Sequence, residues 1–244
     1  MTELLYQLDS YKQEFTANVL EINPFTNAIA LDRTVFYPGG GGQPNDCGWI
    51  SFGAGEVEVE KVKKEGDTVW HFLAAGCNLP NEGTAVQGRL NWERRYQLMR
   101  THSAMHVLCG VVFRDYGALV TGGNMEPLQG RMDFEFENLT HDLVQVIEDA
   151  VNREIQLDHT IHVKIHPREI AMQIPDLIRT KINLLPPQIS EIRTIEIEGL
   201  DLQADGGTHV HHTREIGHAC IVDYTSKGKI NKRVYLQLDT RSEG

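Results

Sequence analysis

The feature that most constrains this fold is a change of pattern near Asn91. From Trp92 to Tyr116 the chain has no proline and only one glycine. Within that stretch Met99, His102, His106, Cys109 and Phe113 recur at three- and four-residue spacing. Such spacing predicts one helix with these five side chains on a single stripe. The stripe is largely apolar, so it must face a core that the rest of the chain supplies.

The residues before that helix read as β. Thr16–Ile22, Ala28–Val35, Glu56–Val62 and Thr84–Leu90 are short and rich in β-branched side chains. Asn23-Pro24, Pro38–Gly42, Pro80-Asn81 and Glu82-Gly83 separate them. Short strands at regular spacing predict a small barrel or sandwich. After the helix, Asp142–Leu157 predicts a second one, with Leu143, Val146, Ile147, Ala150 and Ile155 on one side. Ile161, Val163 and Ile165 alternate with polar residues, as do Ile195 and Ile197. Cys220–Tyr224 and Arg233–Leu238 read as strands joined by a turn at Ser226–Lys229. Two helices interleaved with strands predict a two-layer α+β domain. The expected organisation is a β-barrel domain over 1–90 and an α+β domain over 91–244.

Several function classes are disfavoured. A net charge of −11 speaks against broad, non-specific binding to nucleic acid. Two local basic clusters stand out, Arg89, Arg94, Arg95 and Arg100, and Lys227, Lys229, Lys232 and Arg233. On charge alone they read as a solvated helix face and a basic hairpin turn. Cys47, Cys77, Cys109 and Cys220 are scattered, which argues against a disulfide framework. No apolar stretch is long enough to span a membrane, and Met1–Leu8 carries an acid where a signal peptide carries base. A cytoplasmic enzyme with no membrane partner and no obligate protein partner is expected.

Three segments could carry chemistry. In His102-Ser103-Ala104-Met105-His106 the two histidines sit one turn apart on one helix face. Two imidazoles so placed can share a metal ion, or can be core histidines satisfied by ordinary hydrogen bonds. Ser103 stands where a zinc peptidase needs its general-base glutamate, so that reading fails. The second segment runs from Asp205 through Gly206, Gly207 and Thr208 to His209, with exposed histidines expected at His211 and His212. Together the two segments offer three imidazoles and a carboxylate, a full tetrahedral set for zinc or three ligands plus a water. The third is Tyr37–Gly48, with four consecutive glycines, Gly39–Gly42. It lacks the Gly-Lys-Ser/Thr of a phosphate-binding loop. It is either a flexible turn or a run of bare amides able to approach a substrate closely.

In this order the three segments resemble the free-standing alanyl-tRNA editing proteins, the AlaX family, relatives of the editing domain of alanyl-tRNA synthetase. The resemblance runs from about Val35 to the C-terminus and is to the medium-length form. It implies an α+β chain: an N-terminal small β-barrel, then a two-layer α/β editing domain of the threonyl/alanyl-tRNA synthetase common type. It implies zinc held by His102, His106, Asp205 and His209. It implies Gln43 and Thr208 orienting water or the ester carbonyl, and Thr34 with Gly40, Gly41 and Gly42 beside the substrate. The implied reaction is hydrolysis of serine or glycine from the acceptor end of mischarged alanine tRNA. Zinc would activate water or hold the substrate's α-amine. On this reading the two basic clusters become candidate tRNA contacts. One position departs from the family: Asp205 stands where its zinc-binding cysteine usually is. The site then keeps an oxygen ligand, leaves the place to water, or uses His211 or Cys220. The alternatives are a deacylase of another aminoacyl-tRNA, threonyl-tRNA first among them, and a tRNA- or metal-binding module without activity.

Overall fold

The strands of the first ninety residues close on themselves. The computed structural model describes residues 1–180 and 189–240. These fall into two units, Met1–Tyr96 and Gln97–Gly244. In the first, β1 (Glu3–Leu4) precedes β2 (Glu14–Asn23), β3 (Ala28–Leu31) and β4 (Arg33–Thr34). Then follow β5 (Gly48–Phe52), β6 (Gly55–Glu65), β7 (Thr68–Leu73) and β8 (Ala85–Leu90). Six of them form a closed antiparallel barrel in the order β2-β3-β7-β6-β5-β8. Strand β2 shows why: Phe15, Ala17 and Val19 alternate inward, and the residues between them face out. The barrel is filled by such side chains, among them Ile29, Leu31, Phe36, Ile50 and Val69.

The single strand expected over Ala28–Val35 is broken at Asp32. The Asp32 carboxylate accepts from the Asn18 N–H at 2.9 Å, and the Asp32 N–H donates to the Asn18 carbonyl. The chain leaves the barrel there, and β4 pairs instead with β1, in parallel. Strands β5 and β7 were not among the expected segments.

The second unit is built around α1 (Trp92–Tyr116), whose first five residues belong to the barrel unit. From Leu98 to Val112 every residue of α1 is buried, so the helix has no wet face over that length. Next come β9 (Val120–Glu126), β10 (Gln129–Glu135), α2 (His141–Gln156), β11 (Ile161–Pro167) and the short α3 (Arg168–Ala171). The unit ends with β12 (Glu191–Ile197), β13 (Asp201–Ala204), β14 (Ala219–Ser226) and β15 (Asn231–Leu238). They make two antiparallel sheets, β14-β15-β10-β9 and β11-β12-β13. Thr140 caps α2 by accepting from the Leu143 N–H, and Val144, Ile147, Ala150, Val151 and Ile155 form its buried side. Among the described residues no helix is long and apolar enough to cross a membrane.

Candidate metal centre

Helix α1 brings His102 and His106 to the same side, one turn apart, and the loop after β13 brings Asp205 and His209 to meet them. One ligand atom from each of the four lies within 4.8 Å of every other. The ring centroids are 5.1 Å apart for His102 and His106, 4.3 Å for His102 and His209, and 4.8 Å for His106 and His209. All three imidazoles are buried. Asp205 turns its carboxylate inward, with Oδ1 3.5 Å from His102 Nε2 and Oδ2 3.1 Å from His209 Nε2. His211 and His212 are exposed and Cys220 is half-buried, and none of them joins the group.

The loop that carries Asp205 is pinned on both sides. Asp205 donates its N–H to the Arg193 carbonyl at 3.1 Å and accepts from Arg193 Nη1 on its own carbonyl at 3.1 Å. Its side chain accepts from the Gly207 N–H at 2.7 Å. A Cβ at Gly206 would meet nothing within 4 Å. Neither Gly206 nor Gly207 adopts a positive φ, and the chain bends at Gly207. Thr208 is fully buried, and its backbone carbonyl accepts from the His102 ring.

Each imidazole has an outer partner. Besides the His102–Thr208 bond, Ser103 Oγ lies 3.1 Å from His209 Nδ1 and accepts from the Val210 N–H at 3.2 Å. Asp201 Oδ2 lies 3.1 Å from His106 Nδ1. With the outer nitrogens so occupied, the Nε2 atoms are left for the centre. Ser103, Asp201 and Gln203 were missed as site residues. Their partners lie about a hundred positions away, and no local spacing marks them.

At His102, His209 and Asp205 the electrostatics favour the form that binds a cation. Burial lowers His102 to about 4, with the Asp205 carboxylate opposing it. Burial and the neighbouring His102 hold His209 well below the ordinary imidazole value. Burial alone would raise Asp205, but the surrounding imidazoles outweigh it and hold the carboxyl well below its usual range. For His106 burial opposes a charge, and the Asp201 carboxylate outweighs it and lifts the ring above its ordinary value. Neutral His102 and His209 beside an ionised Asp205 are the protonation states a divalent metal needs. The donor set of three nitrogens and one oxygen suits zinc.

The other expected site residues belong to the barrel unit. Thr34 is fully buried, and its Oγ1 lies 2.8 Å from His71 Nε2 and accepts from the Phe36 N–H at 3.1 Å. The glycine loop is built, not slack. Gly40 and Gln43 exchange both backbone hydrogen bonds, at 3.0 and 2.9 Å, across a two-residue turn. Gly39 to Gly42 all have φ between 57° and 141°, which is why glycines fill these positions. Gly40 and Gly41 are exposed, and Gln43 is 2% exposed.

The first basic cluster is only in part the solvated helix face expected. Arg95 is completely buried and ion-pairs with Asp46, which is 1% exposed. Arg94 donates to the Asn45 carbonyl, and Arg100 to the Ile216 carbonyl and to Asp239. Lys232 donates to the Gly228 and Lys229 carbonyls, and Arg233 binds both oxygens of Asp133. Arg89 lies over the Trp49 ring and is exposed, as are Lys227 and Lys229 at the turn between β14 and β15.

Comparison with known proteins finds relatives along nearly the whole chain. Residues 5–94 match the family model for tRNA synthetases class II (A). Residues 192–235 match that for the threonyl and alanyl tRNA synthetase second additional domain. The alanyl-tRNA editing protein AlaX-M of Saccharolobus solfataricus is 41% identical over 96% of this chain and 98% of its own. That of Methanosarcina barkeri is 37% identical over 98% and 99%. The alanine–tRNA ligase of Pyrobaculum neutrophilum is 37% identical over 88% of this chain but only 24% of its own length. A chain with a closed barrel and a buried histidine–aspartate cluster, matched over 96% and 98% of its length by these two editing proteins, belongs to the medium-length AlaX family of alanyl-tRNA editing proteins.

Proposed function

We propose that this alanyl-tRNA editing protein is an aminoacyl-tRNA deacylase that uses zinc at His102, His106, Asp205 and His209 to hydrolyse seryl- or glycyl-tRNA(Ala). The observation that carries the reading is the buried cluster itself, whose four inward ligand atoms lie within 4.8 Å of one another. When bound, zinc supplies a Lewis acid or a holder for the substrate's α-amine. The chain's own residues do the rest. Thr208, next to the ligand His209, and Gln43 orient the attacking water or the ester carbonyl. Gly40, Gly41 and Gly42 offer bare backbone to the substrate.

Thr34 is proposed to read the serine hydroxyl. A site that hydrogen-bonds an OH rejects an analogue lacking it far better than an apolar pocket rejects an added OH. The Thr34 hydroxyl hydrogen-bonds His71 Nε2 and accepts from the Phe36 N–H. The acceptor end of mischarged alanine tRNA is the proposed partner, met in the cytoplasm.

The test is metal analysis of the purified protein beside deacylation of seryl-, glycyl- and alanyl-tRNA(Ala) and of mischarged threonine tRNA, for wild type and His102→Ala. Bound zinc, with activity lost in the variant, is expected. No bound metal together with full activity in His102→Ala overturns the reading. Normal tRNA binding without any deacylation points to a binding module instead.

A further inference from the structure

We infer that Asp201 is a positioning residue for this centre: its carboxylate holds the His106 ring so that Nε2 faces the other three ligands, and Arg179 is its counter-charge. The inference rests on the metal reading above and adds the part of the site that lies outside the four ligands.

Asp201 opens β13, opposite Ile197 in the hairpin from β12. Its side chain is fully buried. Oδ2 lies 3.1 Å from His106 Nδ1 and accepts from Gln203 Nε2 at 2.7 Å. The same Gln203 amide donates to Cys109 Sγ at 3.3 Å, one helical turn beyond His106. An ionised carboxylate can only accept, so the proton of a neutral His106 ring must sit on Nδ1. That leaves the Nε2 lone pair as the only one a metal can use. The outer partner of His106 is charged. His102 is bonded to a backbone carbonyl and His209 to a serine hydroxyl. A carboxylate behind a ligand imidazole fixes its orientation and raises its basicity.

The surroundings look assembled for that contact. Among the described residues Asp201 Oδ1 has no hydrogen-bond partner, and neither do Nε and Nη1 of Arg179. Arg179 Nε lies 3.6 Å from Asp201 Oδ1, beyond hydrogen-bond reach but close enough to balance its charge. The guanidinium is 3.6 Å from the Phe113 ring centroid, so an aromatic face of α1 holds it there. A buried carboxylate is costly unless something needs it, and the hairpin pairing of β12 and β13 does not. Gly110, one turn after His106, makes the approach possible. A Cβ there would fall 2.8 Å from Leu200 Cγ and 3.1 Å from Asp201 Cβ.

The experiment uses the full chain, stripped of metal and titrated with zinc against a chromophoric chelator, as wild type and Asp201→Asn. Loss of an outer carboxylate is expected to weaken zinc binding about 10- to 100-fold. In the zinc-loaded wild type, nitrogen-15 spectra of the imidazoles are expected to show the His106 proton on Nδ1. That measurement needs no variant, so it can overturn the inference even if Asp201→Asn does not fold. A variant that binds zinc within about threefold of wild type, or a wild-type His106 proton on Nε2, overturns the inference. Wild type that takes up no zinc removes the metal reading and this inference with it. Wild type that binds while Asp201→Asn binds equally removes this inference alone.

Discussion

Arg95→Met tests whether the first basic cluster is scaffold or tRNA contact. Arg95 Nε lies 3.1 Å from both Asp46 oxygens, and Nη1 and Nη2 donate to the Ser10 and Val35 carbonyls at 2.8 and 2.6 Å. Asp46 in turn accepts from the Tyr37 N–H at 2.6 Å and donates its own N–H to the Tyr37 carbonyl. The pair therefore ties together the two ends of the glycine loop. Methionine keeps most of the apolar stem and deletes the charge. It strands a carboxylate that is 1% exposed and takes a donor from two carbonyls. Removing one partner of a buried ion pair costs about 3–5 kcal/mol. That is a large share of the roughly 5–15 kcal/mol that holds a domain together.

Tryptophan fluorescence reads this loss selectively, because Trp49, Trp70 and Trp92 all lie in the barrel unit and the second unit has none. With a urea slope of about 1.5 kcal/mol per M, the midpoint should fall by about 2–3 M. Arg95→Met combined with Asp46→Leu removes the stranded charge and should recover about 2 kcal/mol of the loss. A single variant within about 0.5 kcal/mol of wild type would refute the reasoning, since that is what a surface substitution does. If such a variant also lost tRNA affinity, the cluster would be a tRNA contact after all.

Other perturbations bear on the site and the barrel. Asp205→Ala should weaken zinc by more than about 100-fold, beyond what loss of an outer partner costs, and Asp205→Cys should bind zinc tighter than wild type because a thiolate is the softer ligand. Equal zinc affinity in chelator titrations of all three proteins would show that Asp205 is not a ligand. His71, lowered to about 4 by burial against an ordinary value of 6.5, gives a pH signature. Between these values the unfolded chain binds a proton that the folded barrel refuses. Its contribution is therefore full above pH 6.5 and falls by up to about 3 kcal/mol as the pH drops to 4. His71→Gln should flatten that part of the tryptophan-monitored stability curve, and an unchanged slope would count against it. Thr34→Val should collapse the serine-over-alanine deacylation ratio. It should also cost about 1–3 kcal/mol, because His71 Nε2 and the Phe36 N–H lose their partner.

What could be read from the sequence follows from where each partner lies along the chain. Helix α1 was legible because its pattern is local: no proline, and apolar residues at three- and four-residue spacing. That spacing still understated it, since a stripe marks one face and Leu98–Val112 is buried on every side. The four clustered side chains were legible as two local i,i+4 pairs, His102 with His106 and Asp205 with His209. Their spacing survives the exchange of a thiolate for a carboxylate, so it names positions and not ligand strength. Arg95 was misread because its partner Asp46 is 49 positions away, and Arg100 because Asp239 is 139 away. A charge run in one segment says nothing about acids that the fold brings from another. Asp201 was missed for the same reason, 95 positions from His106. The β12–β13 hairpin and the missing side chain at Gly110 bring the two together. Local spacing can therefore give the ligands of such a centre, but the groups that aim those ligands are set by topology, and they become visible only once the chain is folded.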